Sequence, residues 1–150
     1  MRIDPEHYRE ASAFRIESAR QMHCHARYSD AIYLAGVSTE CLLRAFITRR
    51  TIAFDARHDL QGLFKQAGLQ DLIPFKHRRN AGALLGTIWA RWKNSYRYIT
   101  DDRLRSEFKR LKHDRGIRGD FLKENSRCVI NCVYELRTIG ELQWRRLKKK

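Results

Sequence analysis

The chain has 150 residues, 43% of them hydrophobic, with 31 Lys and Arg against 17 Asp and Glu, a formal net charge of +14. That length supports one domain with a real core, and the apolar content excludes a disordered basic tail. The cation excess implies an anionic partner: nucleic acid first, an acidic protein second, a membrane surface third.

Pro5 and Pro74 are the only prolines, and no stretch sustains an alternation of apolar and polar residues, so the chain reads as all helix. "DPEH" opens the first helix. Asp4 caps it, Pro5 takes the first turn, and Glu6 favours the positive end of the dipole. Ala11, Phe14, Ser18 and Met22 make its expected inward stripe. Ser29 or Asp30 is the expected cap of the second helix, "YSDAIYLAGVSTECLLRAFITRR", over 28–50. From Ala31 to Ile47 only Gly36, Ser38, Thr39, Glu40 and Arg44 are neither apolar nor tyrosine. A helix apolar on nearly every side is the central member of a bundle, or it meets a partner with its second face. The second option predicts self-association, because such a patch is larger than monomers tolerate. The stretch reads as too short and too interrupted by charge for a membrane span.

A loop through "RTIAFDAR" follows, and His58–Asp59 start a short helix with Leu60, Leu63, Phe64 and Ala67 inward, closed by Gly68. A third long helix is expected over 78–92, with Ala81, Leu84, Leu85, Ile88 and Trp92 on one side. The pattern breaks at "NSYRY" and restarts at "TDDRL", with Thr100 as cap and Asp101 and Asp102 in the first turn. Leu104, Phe108 and Leu111 point inward there, and Gly116 and Gly119 end the element. Asp120 caps the last helix, which presents Phe121, Cys128, Cys132, Leu136 and Ile139 at helical spacing. At about 1.5 Å per residue it has the length of a bundle member. Without repeat, low-complexity tract or linker, residues 1–150 form a single domain.

No apolar signal segment opens the sequence, so the expectation is a cytoplasmic protein whose Cys24, Cys41, Cys128 and Cys132 stay reduced. Cys128 and Cys132 share a helical face and, with His23 and His25, supply zinc-ligand types. Their spacing is unlike a zinc knuckle or ribbon, so neither metal nor cofactor is expected.

Two groups of residues carry the chemistry. Glu40 and Arg44 are one turn apart, but a carboxylate inside a crowded bundle needs a stronger partner. His58 and the planar fork of Arg97 are the candidates, so Glu40, His58 and Arg97 are expected to tie helices together. The second group is "RLRSEFKRLKHDRGIR", residues 103–118. It carries Arg103, Arg105, Lys109, Arg110, Lys112, Arg115 and Arg118 against Glu107 and Asp114, seven charges against two, a net of +5. "KHRR" at 76–79 and "RRLKKK" at 145–150 point the same way. Trp89, Trp92, Tyr96 and Tyr98 precede the segment and stack on bases if exposed. Arg103, Arg105, Lys109, Lys112, Arg115 and Arg118 are therefore the expected RNA-binding residues, with a merely solvated face as the alternative.

The second helix, "HDL" at His58 to Leu60, the Trp92-to-Tyr98 segment and the long closing helix occur in an order that resembles the HEPN superfamily. These are small prokaryotic helical-bundle domains. Their central helix carries "A-x-x-x-x-x-x-E-x-x-L-K/R-A", to which Ala31, Glu40, Leu43, Arg44 and Ala45 correspond with looser spacing. The similarity covers residues 8 to 98 and 120 to 142. It implies an up-and-down bundle, here with an extra basic helix before the C-terminal one, that dimerises and serves RNA-directed defence or toxin–antitoxin modules.

Many such proteins are metal-independent ribonucleases marked by an Arg followed four to six residues later by a His. That mark is absent from its usual place. Arg110 and His113 have two residues between them, and Arg20 and His25 lie on the first helix. If RNA is cut, a 2′-hydroxyl attacks the adjacent phosphate, with His113 as acid or base and Arg110 stabilising the phosphorane. The alternative is a non-enzymatic module whose basic face docks an acidic partner, such as a nucleotidyltransferase.

Overall fold

In the computed structural model, which describes residues 3–51 and 58–148, every regular element is helical. Several helices start where side chains satisfy the backbone groups that a helix end leaves open. Asp4 accepts from the Glu6 amide at 2.8 Å and starts α1 (Pro5–Cys24). Asp59 accepts from Gln61 at 3.1 Å and starts α3 (Leu60–Ala67), which Gly68 closes in the left-handed region. α4 (Leu69–Leu72) is a single turn, and Pro74 at the N-cap lets α5 (Phe75–Arg91) begin three residues earlier than expected. After a 3-10 turn (Asn94–Tyr98), Thr100 caps α6 (Asp101–Arg110) and Asp120 caps α7 (Phe121–Lys148).

α2 (Tyr28–Arg50) departs from the pattern: neither Ser29 nor Asp30 caps it. Its start is capped from elsewhere, by the Asp101 carboxylate, which accepts from the Ser29 amide at 2.9 Å. Asp30 is drawn instead to Arg27, 2.9 Å away. The loop expected over 50–57 lies mostly outside the described residues.

Pairwise contacts set the topology. Ser12 and Ser38 exchange hydroxyl-to-carbonyl bonds of 2.7 Å, making α1 and α2 antiparallel neighbours. Phe46 meets Trp144 edge-on at 5.2 Å, and Leu42 lies against Gly140, so α2 and α7 run parallel. Arg9 reaches Glu141 at 2.9 Å while His23 reaches Ser126 at 2.8 Å, so α1 is antiparallel to α7. Arg91 bonds Asn125 at 2.9 Å, near the start of α7. α1, α2, α5 and α7 therefore alternate up, down, up, down. α3 and α4 sit where α2 and α7 end; the 3-10 turn and α6 sit where those two begin.

α2 packs against α1, α3, α5, α6, α7 and the 3-10 turn. Most of its unusual composition is thus accounted for within one chain, while Tyr33, Leu34, Val37 and Cys41 stay partly exposed along one face. By length and composition α2 does qualify as a membrane-crossing helix, against the sequence expectation. Of that apolar stretch, 67% is instead buried within the bundle. Gly36 makes the closest approach possible: the indole of Trp92 lies on it, donating to the Tyr33 carbonyl at 3.1 Å. A Cβ at position 36 would stand 2.1 Å from that ring.

The inward stripes of α1 and α7 are rotated from those expected. In α1 the buried residues are Ser12, Ile16 and Ala19, whereas Phe14 is 65% exposed with Arg15 over its ring. Small, mutually bonded Ser12 and Ser38 let the two helices approach, which a phenylalanine would prevent. In α7 only Leu136 of the expected set is fully buried. Val129, Ile130, Val133 and Trp144 share the interior with Asn125, Ser126 and Gln143. Arg137 is enclosed there too, donating to Ser12 at 2.9 Å and to Glu141 at 2.8 Å.

Candidate nucleic-acid interface

α6 is amphipathic: Leu104 and Phe108 are fully buried, with Tyr96 of the 3-10 turn packed on Phe108. Everything else on the helix faces outward or lies at its flanks. The sequence expected Gly116 and Gly119 to end it, but the helix stops at Arg110 with a different cap. Lys112 adopts φ +64°, its amide bonds the Lys109 carbonyl, and the His113 amide reaches back to Phe108 at 2.8 Å. This is a Schellman motif with lysine where glycine is usual, and its apolar contact is His113 edge-on to Phe108 at 5.2 Å. The α1 terminus repeats the motif with Ala26 at φ +58°.

The cations of 103–118 fall into two sets. Arg105 is a tie between elements, 3.5 Å from Asp102 and 3.6 Å from Asp120 at the start of α7. Arg110 pairs with Glu107 at 2.5 Å, and Lys93 approaches the same carboxylate at 3.4 Å. The Arg110 hydrogen bond holds the Glu107 carboxyl below its ordinary range. Arg103, Lys109, Lys112, Arg115 and Arg118 have no carboxylate within ion-pair distance among the described residues. Burial pushes the Tyr96 phenol up to about 12, so that ring stays neutral.

Of the four aromatic candidates, Trp92 and Tyr96 are core and Trp89 is half-buried. Tyr98 alone is open, 79% exposed, with the Arg97 guanidinium 4.9 Å from its ring centroid. Arg97 is consequently not part of the expected tie to Glu40. It stands at the α6 end of the bundle, while His58 precedes α3 at the opposite end. Glu40 is met by His58 Nδ1 at 2.5 Å and by Arg44 Nε at 3.3 Å, so Arg44 supplies the guanidinium. A carboxylate only accepts, so His58 carries its proton on Nδ1.

Arg110 and His113 are each engaged elsewhere. The Nε2 of His113 donates to the Ala90 carbonyl at 3.1 Å, and among the described residues no hydrogen bond or ring contact joins it to Arg110. Nor do the possible zinc ligands converge: His23 bonds Ser126, His25 bonds the Gln21 carbonyl at 2.8 Å, and no group of three His, Cys, Asp or Glu is arranged for a metal among the described residues. Burial, helped by neighbouring Cys128, pushes the Cys132 thiol up to about 11. Burial also pushes Cys41 to about 11, far from thiolate reactivity at neutral pH.

Sequence reasoning named the basic segment and counted Tyr98 among four stacking candidates, but did not single it out or see Arg97 beside its ring. Adjacent aromatic and arginine residues in a helix break were the available signal. Comparison with known proteins gives no match to a family model, a curated protein or a solved structure.

Proposed function

We propose that the chain binds single-stranded RNA at the α6 end of the bundle. The observation that carries the reading is the set of exposed cations Arg103, Lys109, Lys112, Arg115 and Arg118, with no carboxylate at ion-pair distance among the described residues, together with the open Tyr98 ring that precedes α6 in the chain. Cations track phosphates, and an exposed ring stacks on any base. The HEPN-like reading, supported by Glu40 and the "HDL" segment, places such a protein in a cytoplasmic RNA-directed defence or toxin–antitoxin module. A homodimer belongs to that reading, with the partly exposed Tyr33, Leu34, Val37 and Cys41 of α2 as its candidate face. Cleavage by Arg110 and His113 is not part of the proposal, because His113 serves the helix end.

The test is RNA affinity against salt. Each phosphate contact on a single strand contributes about 0.7 to the log–log slope, so replacing Lys109, Lys112 and Arg115 with Ala flattens it by about 2. Tyr98→Ala weakens binding about tenfold at fixed salt. Parent-like slope and affinity in both variants would reduce the segment to a solvated face. RNA cleavage that His113→Ala abolishes, with melting unchanged, would restore the ribonuclease reading.

A further inference from the structure

At the opposite end of the bundle, a groove of about 480 Å³ opens between the start of α5 and the last third of α7. Ile73, Ile139 and Leu142 give it an apolar floor, and Lys76 and Arg146 stand at its sides. None of its lining residues is acidic. Phe75, between lining residues Pro74 and Lys76, is 84% exposed, and Leu142 is 46% exposed. Phe75 meets a cation on one side. Arg78 lies 5.6 Å from its ring centroid and donates to the Ile73 carbonyl at 3.0 Å.

We infer that this groove docks an acidic amphipathic helix of another protein. Between antiparallel helices there is room for a third, whose apolar stripe meets the floor. Carboxylates flanking that stripe would meet Lys76 and Arg146, which have no ion-pair partner among the described residues. Neighbouring Arg79 and Arg145 are exposed and extend the positive rim. A second copy of this chain presenting the same face is a poor occupant, since it would set Lys76 and Arg146 against their own images. Nucleic acid would use the cations but leave the apolar floor unsatisfied. The surface lies away from α6, so this inference stands whether or not RNA binds there.

The probe is a helical peptide of about 20 residues with leucines at i, i+4 and i+7 and glutamates beside them, titrated into the isotopically labelled full chain. Amide shifts should gather over 73–80 and 138–146. The same peptide with lysine in place of glutamate should bind at least about tenfold more weakly. The double variant Phe75→Ala, Leu142→Ala should lose about tenfold for the acidic peptide, and Lys76→Glu with Arg146→Glu a similar factor. All four side chains are at the surface, and an unchanged melting temperature checks each variant. Equal binding of the two peptides, unaltered affinity in either double variant, or shifts confined to 103–118 would overturn the inference. So would the same shifts on raising protein concentration alone, which would make the occupant a second copy, or on adding single-stranded RNA.

Discussion

α2 and α6 are helices of one bundle that treat charge in opposite ways. Glu40 and Arg44 of α2 lie inside and are closed on each other and on His58. α6 and its following turn hold most of their cations open to solvent, and among the described residues only Arg105 and Arg110 meet carboxylates there. Arg9 and Arg137, bonded to Glu141 between α1 and α7, follow the α2 pattern. The difference shows that a cation's availability is set by which carboxylates the fold brings to it. Counting charge in a sequence cannot separate the two kinds.

The strongest way to break the enclosed side of this comparison is Gly36→Ala. The new methyl must displace the Trp92 indole, 2.1 Å away, which should cost about 3 kcal/mol in chemical denaturation. Glu40→Ala removes the acceptor of both the His58 and Arg44 bonds and should cost about 2 kcal/mol. Replacing Lys109 and Arg115 with Ala should move stability by no more than about 0.5 kcal/mol, since no structural ion pair is lost. A loss as large as that of Glu40→Ala would erase the distinction.

Lys112→Gly sharpens it. Glycine relieves the left-handed strain and should add about 1 kcal/mol of stability while removing a cation from the RNA face. Weaker RNA binding by a more stable protein would separate the two roles of that position. The smallest effect is in pH. Burial, then Arg127 and Lys123, hold the His23 imidazole below its ordinary value of 6.5. The unfolded chain therefore takes up this proton more readily, so the contribution is complete above 6.5 and is lost as pH falls through the folded value. Melting of the parent should fall more between pH 7 and 5 than that of His23→Gln, and identical profiles would refute the assignment.

Local signals made much of the fold legible. Asp4, Asp59, Thr100 and Asp120 cap helices because each satisfies amides two or three residues away, and that needs no tertiary information. The cap of α2 was invisible for the opposite reason: Asp101 is 72 residues from Ser29. Periodicity favoured Phe14 as inward because it weighs side chains by apolarity, whereas the interface selected Ser12 for its size. The same bias hid Asn125 and Gln143 within α7. At the candidate site, the cationic segment was legible from composition, but Arg97 was assigned to the wrong end of the bundle because proximity in space has no local signature. His113 looked chemical for its residue type; its contact with Phe108 identifies it as the apolar partner of a helix cap.

Because α2 is wrapped by elements made after it, the order of synthesis matters. α1 can pair with α2 at once, through a three-residue connection. The side that receives α7 stays bare until the last helix has emerged, about 100 residues later, which at about 5–20 residues per second is on the order of 10 s. For that interval the nascent chain, itself strongly cationic, displays an unusually apolar helix beside the anionic RNA of the ribosome. A chain stalled before α7 keeps that side bare and should aggregate more readily than the finished one.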